Sequence, residues 1–465
     1  MLFAQNERNP NGWSGLGACK RDSTRSLFIH VCERETMSTS VKKGGRNRYR
    51  SAVSEQVMTY QDAYSKLEKY GQLHVLKYYD ELNEEQKAQL LQQVEDTDFS
   101  VLQFVDHKDP ALGTGKISPI AAMELDEIER RKDEFTQIGL DAIRRGKVAA
   151  VLLAGGMGTR LGSDDPKCMY DIGITHPVYI MQRLVENLMD VVRAAGVYVP
   201  FFIMTSDKNH DKTVSFMEKM NYFGYDPSMI WFFKQEMAPA SDYSGKVYME
   251  DKYRISTSPN GNGGWFLSMK RCGLIDKIHE LGIEWLNTFA VDNVLQRIAD
   301  PVFVGATIAS GCATGAKTVR KAAPDERVGV MCLADGKPSI IEYYEMTPEL
   351  MEAKNENGDP AYNFGVIMNY LFREKDLERI VDEVLPVHIV EKKIACIDEK
   401  GNPVSPEEPN GYKFEQLVLD MVRELDTCIP VEVDRTKEFA PIKNKTGIDS
   451  VETARELCRQ NGIEL

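Results

Sequence analysis

Apolar positions return at helical spacing through residues 56–105, most clearly over 76–91, where they recur among Glu, Gln and Lys. Within that stretch Asn83-Glu84-Glu85-Gln86 reads as a cap followed by an acidic first turn. A connector bearing Pro and Gly spans residues 109–119. A strongly charged helix is predicted from about 121 to 145, with Gly146 as its stop. The pattern changes at Lys147. Val148-Ala149-Ala150-Val151-Leu152-Leu153 is a continuous apolar run that leads into glycines, the profile of a strand buried on both faces. A helix over 178–195, a strand over 201–205, a helix over 212–221 and a strand over 230–233 follow, and further strands read at 286–291, 302–309 and 327–333. Strands alternating with helices predict an open, doubly wound α/β sheet. From about 386 the pattern turns to mixed strands, turns and one helix, with loops at Asn402-Pro403 and Pro409-Asn410-Gly411. The predicted organisation is a tail over 1–50, a helical region over 51–146, an α/β domain over 147–385 and a smaller α+β domain over 386–465.

Composition narrows the chemistry. The 465 residues suit two or three domains, and 42% apolar with 28% charged residues is the balance of a globular protein. A net charge of −14 repels nucleic acid and anionic membranes, so neither is an expected partner. Any phosphate site must be built locally, from a few placed cations and backbone amides. The nine cysteines form no CxxC pair and are odd in number, which argues against a zinc site or a full disulfide framework and points to a reducing cytosol. No stretch has the apolar length of a membrane span. Residues 1–50 are polar and net basic. They are expected to be a disordered tail, or an upstream extension with Met37 as initiator, and Glu7, Asp22, Glu33 and Glu35 count against a transit peptide.

The candidate chemistry begins where the first strand ends. Leu153-Ala154-Gly155-Gly156-Met157-Gly158-Thr159-Arg160-Leu161-Gly162 lets the backbone turn sharply and expose N–H groups to an anion. Arg160 adds a planar, always-charged fork, and Lys167 brings a second cation. The spacing is one residue too long for the dinucleotide fingerprint, and Gly115-Lys116-Ile117 fails as a P-loop, which disfavours a dehydrogenase. Asp292 ends an apolar strand, where a hard carboxylate suits Mg²⁺; the alternative is a helix N-cap before Val294.

These residues lie in a longer series. The glycine loop, Pro166-Lys167-Cys168-Met169-Tyr170-Asp171-Ile172-Gly173, Lys234-Gln235, Pro259-Asn260-Gly261-Asn262, Val291-Asp292-Asn293 and Glu438-Phe439-Ala440-Pro441-Ile442-Lys443-Asn444 closely resemble, block by block and in order, the eukaryotic-type UDP-N-acetylglucosamine pyrophosphorylases. The resemblance runs from about His74 to Glu438 or beyond. It implies a nucleotidyltransferase with a Rossmann-like, GT-A-like mixed sheet. It assigns the nucleotide to Leu153, Ala154, Gly155, Gly156, Gln235, Gly261 and Asn262, with Gln235 on the uracil edge. Gly329, Glu342 and Asn363 match the sugar-contacting residues, Asp292 the metal ligand, and Arg160, Lys167 and Lys443 the cations on the phosphates. The implied reaction joins UTP to N-acetylglucosamine 1-phosphate, with Mg²⁺ as cofactor, small molecules as partners and the cytoplasm as location.

Three departures stand out. Cys168 replaces the family's Gly and is expected to shift its loop. Trp265-Phe266 replaces Leu-Tyr and is expected to alter packing only. Leu417 and Leu419 replace aromatics that line the acyl pocket in animal members, which keeps glucose 1-phosphate, or a broad range of hexose 1-phosphates, as the alternative substrate. A non-catalytic UDP-sugar sensor is opposed by Asp292 and Lys167, which a mere binder has little need to keep.

Overall fold

Alternate residues of the first strand, β1 (Val148–Leu153), face opposite ways into two separate apolar clusters: Ala150 and Leu152 into one, Ala149, Val151 and Leu153 into the other. That two-sided burial is why the run carries no polar position. The computed structural model describes residues 58–105, 115–382 and 385–465. The basic segment 1–50 and part of the 109–119 connector lie outside the described residues.

β1, β2 (Phe201–Thr205), β3 (Ile230–Lys234) and β4 (Trp285–Ala290) run parallel in the order β3-β2-β1-β4. Beyond β4 the sheet becomes mixed. Its further strands are β5 (Thr314–Arg320), β6 (Val330–Ala334), β7 (Lys337–Ile341), β8 (Phe364–Arg373) and β9 (Cys428–Glu432). β8 lies antiparallel between β4 and β5, β9 pairs in parallel with β5, and β6 and β7 form a hairpin that meets β8 at Gly365. The two-residue strand Ile117–Ser118 pairs antiparallel with β6, so among the described residues the expected α/β class is realised as a ten-stranded mixed sheet.

Residues 302–309, expected to be a strand, form instead the helix Pro301–Ser310. Asp300 caps it, accepting the Val302 N–H, and Pro301 occupies the first helical position. The run is apolar because the helix is buried on most of its circumference. It crosses the helix Lys132–Arg144 so closely that a Cβ on Gly305 would lie 1.8 Å from the Phe135 carbonyl oxygen, and one on Gly139 would lie 1.9 Å from that of Pro301. The charged helix expected over 121–145 starts only at Leu125 and breaks at Arg131 into two pieces.

In the N-terminal region Asn83 caps Glu84–Asp96 with a capping box to Gln86, as the sequence predicts. Its apolar face packs with Val247, Met249 and Ile255. The segment from 386 onward supplies β9 to the large sheet. Its strands His388–Lys392 and Gly411–Glu415 form a small sheet with Ser241–Asp242. That segment holds the helices Val418–Glu424, Arg435–Glu438 and Val451–Gln460, where the pattern predicts one. Among the described residues no helix is long and apolar enough to cross a membrane.

Candidate active site

In the order β3-β2-β1-β4 the chain winds outward in both directions from the seam between β1 and β4. Ligands of such sheets gather at the carboxyl ends of the strands flanking that seam. Here Leu153 and Ala290 are paired across it, so the glycine loop and Asp292 leave the sheet side by side. A cleft of about 440 Å³ opens there. Its lining includes Leu153, Gly155, Gly156, Arg160, Lys167, Gln235, Asn262, Asp292 and Lys443, so nine of the expected site residues converge from five separate segments.

The loop is held from behind. Asn209 Nδ2 donates to the carbonyls of Ala154 at 2.8 Å and Gly156 at 3.3 Å, and Ser206 Oγ donates to that of Gly155 at 2.9 Å. With these carbonyls satisfied, the amide edge of the turn is left for an anion. Gln235, nine-tenths buried, lies directly against Gly155. A Cβ there would sit 2.4 Å from its Nε2, which is the steric reason for glycine. Ala154 is buried beneath the loop rather than lining the cleft.

Lys167 Nζ stands 3.9 Å from Asp292 Oδ2, both side chains being mostly buried. Burial holds the Lys167 ammonium below its ordinary value. Asp292 opposes that, and Arg160 and Lys443 add to it. Three cations thus border a cleft whose lining, among the described residues, holds one carboxylate. No helix follows Asp292 before Pro301, and the Leu295 N–H goes to Asn293 Oδ1, so Asp292 is not the helix cap that was its alternative role.

Lys443 arrives on a strap laid along this turn. Asn293 Nδ2 donates to the Glu438 carbonyl at 2.7 Å, the Ala440 N–H to Asn293 Oδ1 at 2.9 Å, and the Ile442 N–H to the Asp292 carbonyl at 2.9 Å. Lys443 Nζ pairs with Asp449 at 2.9 Å. Under the strap, fully buried Lys317 binds the Glu438 carboxylate and the Arg297 carbonyl.

The second glycine block does not open a helix at once, because Gly264 caps the helix Trp265–Arg271. Gly261 has φ +76° and presses on the Gln416 carbonyl, where a Cβ would come within 2.2 Å. It lies outside the cleft lining, whereas Asn262 lines it and accepts the Val418 N–H. Trp265 and Phe266 are core residues, in keeping with a change in packing. Cys168 points into the core beneath its loop, and burial pushes its thiol up to about 12, so the side chain that replaces glycine occupies none of the cleft.

Gly329 and Glu342 come together: a Cβ on Gly329 would lie 3.4 Å from Glu342 Oε1. Asn363 is buried, and its Oδ1 accepts the Lys321 N–H at 3.0 Å. None of the three lines the 440 Å³ cleft.

The family model described as UTP–glucose-1-phosphate uridylyltransferase matches residues 98–454. The chain belongs to this uridylyltransferase family. Human UDP-N-acetylhexosamine pyrophosphorylase-like protein 1 is 34% identical over 421 residues, covering 85% of this chain and 83% of that protein. The UDP-N-acetylglucosamine pyrophosphorylase of Saccharomyces cerevisiae is 39% identical over 364 residues, 75% of this chain and 76% of that one. The crystal structure of the uridine diphosphate N-acetylglucosamine pyrophosphorylase from Trypanosoma brucei in complex with inhibitor aligns with a TM-score of 0.74 at 27% identity, over 85% of this chain and 84% of that one.

Within this uridylyltransferase, sequence reasoning passed over Ser206 and Asn209. Their signal was positional: Ser206-Asp207-Lys208-Asn209 follows the strand beside β1, at the same carboxyl edge. It also passed over the amides behind Asp292. Asn287 Nδ2 donates to Asn369 Oδ1, Asn369 Nδ2 to Gln296 Oε1, and Gln296 Nε2 to the Ala290 carbonyl.

Proposed function

We propose that this member of the family transfers the uridylyl group of UTP to N-acetylglucosamine 1-phosphate, releasing pyrophosphate. The observation that carries the proposal is the meeting of Arg160, Lys167, Lys443 and Asp292 at the mouth of the glycine turn. The names of the human and yeast relatives support the choice of an N-acetylhexosamine.

The reaction needs no side-chain nucleophile. A phosphate oxygen of the sugar phosphate attacks the α-phosphorus of UTP, that P–O bond forms, and the bond from the α-phosphorus to the bridging oxygen breaks with pyrophosphate leaving in line. Catalysis is alignment plus neutralisation of gathering charge. The amides of the turn and Arg160 hold the leaving phosphates. Lys167 faces the α-phosphate, and Lys443 steadies the incoming one. Gln235 offers both a donor and an acceptor to the uracil edge. Asp292 is the one carboxylate among the described residues lining the cleft, and a single carboxylate completed by phosphates and water is a usual way to hold Mg²⁺. When bound, Mg²⁺ would neutralise charge on the phosphates. The cytoplasm is proposed as its location from the odd number and scattered spacing of the nine cysteines.

The deciding experiment is pyrophosphate release from UTP with N-acetylglucosamine, N-acetylgalactosamine or glucose 1-phosphate, each with and without Mg²⁺. Fastest turnover with N-acetylglucosamine 1-phosphate and dependence on Mg²⁺ are expected. Preference for glucose 1-phosphate would replace the sugar assignment, and no release with any of them would sink the reaction.

A further inference from the structure

One strand breaks its own regularity at the wall of the cleft. β8 keeps step with β4 as far as the pair Asn369 and Phe289. Against β5 it slips: Tyr370 faces Ala316 and Val366 faces Thr318, so three residues of β8 lie opposite the single residue Lys317. Met368 is the middle residue of this bulge and has φ +54°. Of the non-glycine residues with positive φ among the described residues, it alone lies within a strand and lines the cleft. The left-handed region is costly for a residue with a Cβ. A bulge re-aims a side chain, and strain of this kind persists where the surroundings enforce it.

The surroundings are on both sides. Asn369, the next residue, is locked into the sheet by Asn287, whose Nδ2 lies 2.8 Å from its Oδ1. On the cleft side Asn262 Nδ2 donates to Met368 Sδ at 3.9 Å, while Asn262 Oδ1 accepts the Val418 N–H at 2.9 Å. Asn262 thus ties Met368 to the stretch that holds Leu417 and Leu419.

Strand order gives the bulge its place along the substrate. Across β3-β2-β1-β4-β8-β6, Gln235 follows β3, the glycine turn follows β1, Asp292 follows β4 and Gly329 precedes β6. Met368 therefore stands between Asp292 and Gly329, on the side away from Gln235. Two residues before it, the Val366 N–H donates to the Gly329 carbonyl at 2.8 Å. β8 runs from the cleft wall to the residues that the resemblance assigns to the sugar.

We propose that Met368 is a specificity-determining residue for the sugar phosphate, its thioether packing on the hexose beside the phosphates and favouring one that carries an acetamido group. This rests on the transfer reaction proposed above. A flexible, polarisable side chain can close on a methyl that glucose lacks, in the space that Leu417 and Leu419 leave. Gln235 and the uridine end are untouched by it.

The test compares UDP-sugar formation from N-acetylglucosamine and glucose 1-phosphates in the wild type, M368L, M368A and M368G, with thermal melts of each. In M368A the ratio of kcat/KM for the two sugar phosphates should fall about tenfold in favour of glucose, the scale of one lost apolar contact, with the KM for UTP within about twofold. M368L, of similar volume, should keep most of the ratio. M368G should lose the ratio as M368A does yet melt above it, because glycine takes the positive φ without strain. If M368A does not fold, M368G and M368L carry the comparison. The ratio reads Met368 whichever sugar phosphate the wild type prefers. A ratio unchanged in the folded truncations, or equal changes in KM for UTP and both sugar phosphates, would overturn the role of Met368 alone. A wild type that forms no UDP-sugar overturns the reaction and this role together.

Discussion

Lys317 and Lys167 are both withdrawn from water, yet their surroundings differ. Lys317 has no exposure, and its ammonium is bound to the Glu438 carboxylate and the Arg297 carbonyl, with Asp300 at 3.6 Å and the Phe303 ring beneath. Lys167 has one carboxylate at 3.9 Å, too far for a hydrogen bond, and two further cations nearby. A buried cation with its partners in contact is sealed for structure. One held among like charges, with donors to spare, has the surroundings expected of the anion site proposed above. The contrast sets a lysine whose charge is fully matched apart from one that fits the phosphate-binding role proposed for it.

Substitutions can break that contrast. K317M should cost about 3–5 kcal/mol of stability, because it strands buried Glu438 and Asp300 without a counter-charge, and denaturant unfolding would read the loss. K317M/E438L should recover part of it. A K317M that unfolds like the wild type would remove the structural half of the comparison. K167A should instead keep its melting temperature and lose about 100-fold in kcat, the scale of one lost transition-state donor. Near-normal turnover would take Lys167 out of the mechanism. G155A should displace the Gln235 amide and raise the KM for UTP about tenfold, the worth of one hydrogen bond to a buried group. An unchanged KM would show that Gln235 does not meet the base.

The smallest effect concerns pH. His388 has its pKa raised by folding, so its pairing with Asp420 stabilises fully below the ordinary histidine value and fades as pH rises through the folded value. The stability gap between wild type and H388Q should accordingly narrow from pH 6 to pH 9 in parallel urea titrations. A gap that widens would mean that the ring is neutral in the folded protein.

The glycine turn and β1 were legible in the sequence because both are local: six apolar residues buried on two faces, then a run of glycines in which Gly155 leaves no room for a Cβ beside Gln235. The run at 302–309 was misjudged for a related reason. Once all sides of an element are buried, apolar content no longer tells a helix from a strand, and Asp300-Pro301 was the cap signal that decides it. The amide chain from Asn287 to Gln296 was hidden because its members are far apart and each is unremarkable alone. The pairing of His388 with Asp420 was hidden likewise, since it joins a strand and a helix that meet only after folding.

Ile442 and Asn293 tie the strap that carries Lys443 to the turn that carries Asp292. The proposed phosphate cation and the proposed metal ligand, some 150 residues apart in the chain, are thus placed by one joint. A change that loosens this joint should disturb both groups together rather than either one alone.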